Sequence, residues 1–360
     1  MLTFNFTLTI ILLLTTLIPL LHLSYWPVRV LDFPRLQIAC LWVVLLITEL
    51  FTLPLDSLFS WGLIAVGVAA LTRQLWWIIP YTRLAPTEVN PAPHHPHIPR
   101  IKLLTANVLT PNRQAEKLLS QIQEHKPDIV VTLESDQWWQ NQLDALQPEY
   151  PYTLKCPLDN LYGMHLYSRL PLHDASIEYL VEEDKPSMHA QVELASGDRV
   201  RCHFLHPAPP SPTENSESTE RDAELLVVAQ KLRNQKNPVI VTGDLNDVAW
   251  SKTTRSFRTV SRLLDPRIGR GMFNTFHAKY RLLRWPLDHV FHSSHFSLVR
   301  MFRLKPFGSD HFALFTELAF TPAEYQQQEA PEATQQEVEL ALDKTQEESV
   351  SPKDVPTPGN

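Results

Sequence analysis

The chain contains 360 residues, with 39 acidic and 32 basic side chains and a formal net charge of −7. This length exceeds one ordinary domain and falls short of three, so we expect one large folded domain with appended segments. The last forty residues hold nine acids against two lysines, an excess equal to the whole net charge, and the neutral remainder does not favour a strongly basic nucleic-acid-binding protein.

Three apolar stretches dominate the first 84 residues. The first, from Phe4 to Leu23, contains no Asp, Glu, Lys or Arg and is long enough to cross a hydrocarbon core of roughly 30 Å as a helix. A signal peptide is the alternative, but no basic residue precedes the stretch and the bulky sequence Ser24–Pro27 offers no small-residue cleavage site. An uncleaved anchor is therefore favoured.

Two further stretches, Leu36–Leu55 and Leu58–Tyr81, each carry a single charge. Because a charge is costly in lipid, Glu49 and Arg73 should face other helices, with a mutual pair as one arrangement, unless Arg73 reaches a lipid headgroup. Residues 1–84 are thus predicted to be a membrane anchor of three transmembrane helices, with membrane lipid as their partner.

Two segments flank the expected folded domain. Residues 85–99 form a Pro-rich linker without any apolar period, which predicts an extended, semi-rigid spacer. Its His94, His95 and His97 could bind a metal ion, but no folded scaffold holds them, so a solvated spacer is favoured. Residues 321–360 are rich in Gln, Glu and Pro, and this composition predicts a disordered acidic tail.

Between these segments, residues 100–320 alternate apolar runs with helical patterns, which predicts an α/β domain whose buried sheets are covered by helices. The candidate strands are Ile101–Asn107, Ile129–Glu134, Gly163–Ser168, His189–Leu194, Val200–His206, Val239–Gly243, Leu287–Phe291 and His311–Ala319. The candidate helices are Arg113–His125, Asp136–Leu146 and Thr219–Asn234. Cys156 and Cys202 could pair, but unpaired thiols are favoured for all three cysteines.

Polar side chains recur at the ends of the predicted strands, where an α/β sheet usually places its site. A turn or a helix cap explains any one of them more simply than catalysis does. As an ordered set they are stronger evidence for an active site than any one of them is. The set comprises Asn107, Glu134, His206, Asp244 with Asn246, Asp288, and Asp310 with His311.

Seven segments of the domain resemble the successive motifs of the endonuclease/exonuclease/phosphatase superfamily, which has the DNase I-like fold. They are LLTANV, DIVVTLES, YGMHLYSRLPL, HFLHPAPP, VIVTGDLND, LDHVF and GSDHFAL, of which GDLND and GSDH are the most specific. The resemblance covers residues 100–320. It implies a four-layered α/β sandwich, in which helices flank two facing mixed β-sheets and the site lies at one edge between the sheets.

The resemblance also implies a metal site. Glu134 would be the principal ligand of a divalent cation, with Asn107 and Asp310 completing the shell or holding its waters. Oxygen ligands of this kind suit Mg²⁺ or Mn²⁺, which would neutralise the anionic phosphate and stabilise the leaving oxygen.

The remaining residues of the set are implied to act on the phosphate and on the attacking water. Asp244 would orient and deprotonate the water, and Asn246 would bind a phosphoryl oxygen. His311 would donate to the phosphate or transfer a proton, while Asp288 would fix its tautomer and raise its pKa, as happens in Asp–His pairs. His206 would supply a second donor to the phosphate.

The substrate is less defined, because no well-described branch of the superfamily fits closely. Leu109 stands where abasic-site nucleases have an Asp, and Pro-Ala-Pro-Pro follows His206 in place of the Gln-containing motif of sphingomyelinases. LDHVF lacks the Trp-Asp-Arg context of inositol polyphosphate phosphatases. The nearest resemblance is to bacterial membrane-anchored members. Nine basic residues and one acid between Lys252 and Arg284 could contact a nucleic-acid backbone, anionic headgroups or only solvent.

The sequence therefore predicts a membrane-anchored, divalent-metal-dependent phosphoesterase that uses in-line attack of an activated water. Its phosphoester substrate would be nucleic acid or a phospholipid headgroup, and no protein partner is predicted. A non-catalytic membrane-bound scaffold on the same fold is the alternative. The resemblance places the folded domain outside the bacterial cytoplasmic membrane, whereas the arginines of the short loops favour the inside; we expect the outside.

Overall fold

The computed structural model of the chain describes residues 2–21, 23–95, 97–322 and 328–359. Its N-terminal region contains four α-helices: α1 (Leu2–Leu17), the single-turn α2 (Trp26–Arg29), α3 (Arg35–Thr52) and α4 (Leu58–Ile78). The three long helices coincide with the three predicted apolar stretches. With the turns that extend them, they are long and apolar enough to cross a membrane.

Buried polar side chains join the three long helices into a bundle. The indole of Trp42 in α3 and the amide of Gln74 in α4 both donate to Oγ1 of Thr16 in α1, at 3.1 and 3.2 Å. Trp42 itself is fully buried. Such contacts satisfy polar groups that lipid cannot satisfy, so they stabilise one arrangement of the helices.

The two charged residues of the apolar stretches do not pair with each other. Glu49 accepts a hydrogen bond from Thr9 at 2.9 Å, and the guanidinium of Arg73 lies 5.9 Å from the ring centre of Trp77. The reason is geometric. Because α3 and α4 are antiparallel, Glu49 lies near the end of the bundle remote from the folded domain and Arg73 near the other end.

Residues 100–320 fold around two β-sheets. Their strands are β1 (Arg100–Asn107), β2 (Ile129–Leu133), β3 (Tyr152–Cys156), β4 (Met164–Ser168), β5 (Leu172–Glu178), β6 (Ser187–Glu193), β7 (Arg199–Leu205), β8 (Val239–Asp244), β9 (Asp288–His292), β10 (Phe296–Arg303) and β11 (Leu314–Phe320). One sheet has the order β10–β11–β1–β2–β4–β3 and the other the order β5–β6–β7–β8–β9. Parallel pairs β1–β2 and β7–β8 stand among antiparallel neighbours, so both sheets are mixed.

The sheets face each other across a common apolar core. Val131 and Leu133 of β2 belong to it together with Phe204 of β7 and Ile240 of β8. Four helices cover the outer faces and complete the layers: α5 (Ala115–His125) and α6 (Gln137–Leu143) on the first sheet, α7 (Thr219–Leu232) and α8 (Lys252–Ser261) on the second. The predicted four-layered sandwich is confirmed. The three cysteines are free thiols, as favoured.

Part of the predicted spacer packs against the folded domain. Val89 is fully buried, Glu88 forms an ion pair with Arg258 of α8, and Pro91 forms a β-bridge with Leu298. The expectation of a solvated spacer is therefore wrong for this part, because Val89 and Glu88 both find partners on the domain.

The acidic tail is also more ordered than its composition predicts. Residues 335–347 form α9 (Gln335–Glu347), which begins with a capping box between Thr334 and Glu337. Ala341 and Val355 are buried against the apolar cluster of α7 and α8. The prediction of disorder is wrong for this helix, because its capping box and the burial of Ala341 and Thr345 hold it against the domain; residues 323–327 and 360 lie outside the described residues.

Candidate active site

The two sheets bring the predicted site residues to one edge of the domain. Because β1 and β2 run parallel, Asn107 at the end of β1 lies beside Leu133, which directly precedes Glu134. In the other sheet, Asp244 at the end of β8 pairs in register with Asp288 at the start of β9. Strand pairing thus brings together two polar side chains in each sheet, and the packing of the two sheets brings the pairs to one edge.

Asn107 connects the two sheets at this edge. Its Nδ2 donates to Oε1 of Glu134 at 2.6 Å and to Oδ2 of Asp244 at 3.1 Å. Further along the same strands, the hydroxyl oxygens of Thr105 and Thr242 lie 2.8 Å apart. One amide therefore holds carboxylates that belong to different sheets.

His311 lies between two carboxylates. Its Nδ1 is 2.8 Å from Oδ2 of Asp288, and its Nε2 is 3.5 Å from Oδ2 of Asp244. Burial acts to lower the pKa of His311, but attraction to Asp288 and Asp244 outweighs it and raises the pKa to about 10. The imidazole is consequently a cation at neutral pH.

Glu134 has one carboxylate oxygen without a partner. The residue adopts a left-handed conformation with a φ of 56°, and Thr110 fixes it by donating to its backbone carbonyl at 2.7 Å. Oε2 is buried and accepts no hydrogen bond from any described residue. Burial raises the pKa of Glu134 to about 8; Asn107 opposes this by donating to the carboxylate, and the nearby Asp310 adds to it.

The loop that carries Asp310 and His311 is anchored by a serine that the sequence did not single out. Ser309 donates from Oγ to the carbonyl of Asn107 at 2.8 Å and accepts from the backbone N–H of His311 at 3.0 Å. The sequence could have identified Ser309, because this residue lies within the motif GSDH. Phe276, whose ring centre is 5.0 Å from that of His311, was also missed, and it lies in an irregular segment that offers no such signal.

His206 is the most isolated member of the set. The side chain is buried, and neither ring nitrogen has a hydrogen-bond partner among the described residues. Its ring centre lies 5.2 Å from that of Tyr162. Burial lowers the pKa of His206 to about 4, so the ring is neutral at physiological pH and can donate one hydrogen bond.

Asn246 is turned toward a neighbouring loop. Its backbone N–H donates to Oδ1 of Asp244 at 2.9 Å, while its Nδ2 donates to the carbonyl of Pro207 at 3.0 Å. The residue has a φ of 50°. Asn246 therefore orients Asp244 directly, and the second hydrogen on Nδ2 leaves it able to contact a substrate oxygen.

The arrangement fits a hard divalent cation. The ligand atoms of Asp244, Asp288 and His311 all lie within 4.8 Å of one another, but these three already engage each other. Glu134 offers a freer oxygen, because its Oε2 is a buried acceptor with no partner. Buried polar atoms in native proteins are almost always satisfied, so an oxygen-binding cation is the natural partner of this one.

The part of the chain that holds the site matches a known protein family. Residues 104–311, which include every member of the set, match the Endonuclease/Exonuclease/phosphatase family. Among solved structures, the human Nocturnin catalytic domain with bound sulfate anion is similar with a TM-score of 0.51, 19% identity and coverage of 62% of this chain and 96% of that one. The structure of D. rerio TDP2 humanized by 14 mutations is similar with a TM-score of 0.50 and 17% identity. The match covers 61% of this chain and 98% of that one.

A family protein from Bacteroides thetaiotaomicron gives a TM-score of 0.50 at 18% identity, covering 63% of this chain and 97% of that one. At these identities the three structures share a fold with this chain. The search of curated proteins finds no match.

Proposed function

This chain belongs to the endonuclease/exonuclease/phosphatase family and is a phosphoric ester hydrolase, and we propose that its apolar helices anchor it in a membrane and that it works with a divalent cation, Mg²⁺ or Mn²⁺. The observation that carries the metal dependence is the unpartnered Oε2 of Glu134 at the centre of the polar cluster. The anchoring rests on three helices of sufficient length and apolar character.

Glu134, Asn107 and Asp310 would hold the cation. Glu134 and Asp310 are close enough to interact, since the charge of Asp310 raises the pKa of Glu134. When bound, the cation supplies charge neutralisation at the phosphate and at the leaving oxygen. The amide of Asn107 fixes Oε1 of Glu134, so the second oxygen of that carboxylate remains directed to the site.

Asp244 accepts the proton of the attacking water in this proposal. Burial raises the pKa of Asp244, which brings the carboxylate closer to the range in which a general base works well. Asn107 and the backbone of Asn246 each donate to one of its oxygens. These two hydrogen bonds hold the carboxylate in one orientation while leaving lone pairs for the water.

His311 and His206 would bind the phosphate from two sides with different charges. His311 is an imidazolium, because Asp288 and Asp244 raise its pKa, and it can stabilise the charge that builds up on the phosphoryl oxygens. His206 is neutral and its ring nitrogens are unpartnered. Asn246 contributes a further N–H. The substrate we propose is a phosphodiester, of nucleic acid or of a phospholipid.

The test uses the purified full chain in detergent. Hydrolysis of supercoiled DNA and of phosphatidylglycerol is measured with Mg²⁺, with Mn²⁺ and after EDTA treatment. We expect activity on one of them that EDTA abolishes and Mg²⁺ or Mn²⁺ restores. Absence of hydrolysis at every divalent metal tried would reject the proposal.

A matched variant separates catalysis from the alternative of a non-catalytic scaffold. Asp244→Asn keeps the shape of the side chain and one of the two hydrogen bonds that it accepts but removes the base, so turnover should fall by about 10²–10⁴-fold. Asp198→Asn, at an exposed turn of the same domain, should leave turnover unchanged. Equal turnover in both variants would contradict the assignment of Asp244.

A further inference from the structure

A cleft of about 1010 Å³ lies where the first turns of α3 meet the folded domain. Gln37 of α3 bridges the two parts, since its Nε2 donates to the carbonyl of Leu282 at 2.7 Å. One wall of the cleft is the helix and the other belongs to the domain. The two walls differ in charge.

The wall on α3 is apolar. Leu36, Cys40, Leu41 and Val44 line it, at the spacing of one helical face. These side chains are all exposed. If α3 crosses a membrane, this face begins at the membrane surface and continues into the hydrocarbon.

The opposite wall combines cations with apolar side chains, among them Met272, Phe273 and Phe302. It contains five arginines: Arg83, Arg270, Arg281, Arg284 and Arg303. No Asp or Glu lines the cleft, and none of the five forms an ion pair with an acid in the part of the chain that the structure describes. The neighbouring arginines of the same basic stretch behave differently, because Arg258 pairs with Glu88 and Arg267 with Asp265.

Two of these cations are held in place beside one ring. The guanidinium groups of Arg284 and Arg303 lie 4.9 and 4.8 Å from the ring centre of Phe312. Arg284 donates to the carbonyl of Ala278 at 2.8 Å, and Arg303 donates to the carbonyl of Asn274. Burial lowers the pKa of Arg303, and the nearby cation of Arg284 lowers it further. Fixed, unpaired cations of this kind favour a bound anion.

The loop beside the cleft has the composition of a membrane-surface segment. Tyr280, Leu282 and Leu283 are 59%, 83% and 49% exposed, and they alternate with Lys279, Arg281 and Arg284. Exposed apolar side chains among cations suit the interface between headgroups and acyl chains. This loop also carries the carbonyl to which Gln37 donates, so it lies at the same level as the start of α3.

We propose that this cleft binds an anionic phospholipid, with its acyl chains along α3 and its phosphate among the arginines. A soluble anion or a nucleic acid accounts for the basic wall but leaves the apolar wall without a partner. The inference rests on the membrane anchoring proposed above and does not require catalysis. It also places a lipid phosphate next to Phe312, the residue that follows His311 in the chain.

The test measures lipid binding to the full chain in detergent by native mass spectrometry. Phosphatidylglycerol and phosphatidylcholine with the same acyl chains are the probes. The native chain should bind phosphatidylglycerol more tightly. In the double variant Arg83→Gln/Arg281→Gln that preference should weaken about fivefold for each arginine removed, since one basic residue near anionic lipid contributes that factor. Neither side chain has a hydrogen-bond or ion-pair partner among the described residues, so their replacement should not disturb folding.

Two further variants identify the source of the effect. Cys40→Trp fills the apolar half of the cleft without changing its charge, so it should reduce binding of both lipids. Arg233→Gln removes an exposed arginine outside the cleft and should change neither. An equal loss of preference in Arg233→Gln and in the double variant would overturn the proposal, as would equal binding of the two lipids by the native chain.

Inorganic phosphate distinguishes a lipid from a free anion. If phosphate displaces phosphatidylglycerol completely at millimolar concentration and Cys40→Trp has no effect, the cleft takes a soluble anion and the proposal is wrong. Hydrolysis of bis(p-nitrophenyl) phosphate, a soluble phosphodiester, is measured on the same samples. If the protein does not hydrolyse this substrate but still binds phosphatidylglycerol, the proposed catalysis is contradicted and the proposed lipid site is not.

Discussion

Oδ2 of Asp288 lies 2.8 Å from Nδ1 of His311, and both residues are buried. Burial by itself would make the imidazole neutral. The ion pair reverses that preference and raises the pKa of His311 to about 10. A charged imidazole is therefore built into the site before any phosphate arrives, which is the condition for electrostatic stabilisation without reorganisation.

Asp288→Asn should lower the pKa of His311, because an amide no longer compensates the imidazolium. At pH 8 the native His311 ring is protonated, whereas in the variant a larger fraction of the rings is neutral. We expect turnover to fall by about 10²–10⁴-fold. The alkaline limb of the pH–rate profile should move to lower pH. Steady-state kinetics from pH 6 to 10 measure both effects. An unchanged alkaline limb would show that His311 does not act as a cation.

Glu134→Gln tests the metal site separately from turnover. The amide keeps the volume of the side chain but removes its charge, so Mn²⁺ affinity should fall by at least about 10–100-fold. Isothermal titration calorimetry of the metal-free full chain measures the dissociation constant. Glu149→Gln, which removes a mostly exposed carboxylate paired with Arg169, is the matched control. Equal Mn²⁺ affinity in the two variants would exclude Glu134 as a ligand.

The fold and the convergence of the site could be predicted because the informative residues end regular strands. GDLND ends β8 and GSDH lies just before β11, so strand pairing carries their side chains to the same edge as Asn107. A pattern of buried strands and intervening helices also sufficed for the layered architecture. The supporting contacts of Ser309 and Phe276 depend on loop geometry, which has no periodic signal.

The flanking segments show why composition alone misleads. The tail is polar, yet Thr334 and Glu337 have the spacing of a capping box, a local helix signal that average composition hides. The spacer is Pro-rich, yet the single Val89 is enough to attach it to the domain core. The absence of a pair between Glu49 and Arg73 has a different origin, since a short turn joins α3 to α4 as antiparallel helices and leaves the two residues at opposite ends.

A buried acid in α7 makes the stability of the domain depend on pH. Glu224 is 2% exposed, its Oε1 has no partner among the described residues, and burial raises its pKa to about 8. Because the folded pKa lies above the unfolded value near 4.5, the protonated form stabilises the fold at low pH. That contribution is lost as the pH rises through the folded pKa.

Glu224→Gln should therefore stabilise the protein at alkaline pH only. The amide stays neutral, so at pH 8.5 we expect a gain on the order of 2 kcal/mol in unfolding free energy, and at pH 4.5 no gain. Thermal unfolding of the full chain at the two pH values measures the difference. Glu339→Gln, at an exposed position of α9, should show neither effect. A gain of equal size at both pH values would mean that the change improves packing and does not remove a buried charge.

On the proposed membrane anchoring, the contacts between the helices and the domain fix the direction in which each helix would cross. The backbone N–H of Ser218 donates to the carbonyl of Ser24 after α1 at 2.9 Å, Gln37 at the start of α3 contacts Leu282, and the hydroxyl of Tyr81 after α4 donates to the carbonyl of Ala249 at 2.6 Å. One end of each long helix therefore meets the domain. If the three helices span a membrane as proposed, they put the start of α1 on one side and the domain on the other.

We expect the domain on the extracytoplasmic side. Alkaline phosphatase folds only outside the bacterial cytoplasmic membrane and green fluorescent protein, exported unfolded, fluoresces only inside it, so each fused after residue 360 reports the location. The phosphatase fusion should be active and the fluorescent fusion dark. Fusions within the turn at Asp56, between α3 and α4, should give the opposite pair, because that turn lies at the far end of the bundle. A bright fluorescent fusion after residue 360 would place the domain in the cytoplasm, where the arginines of the short loops favour it.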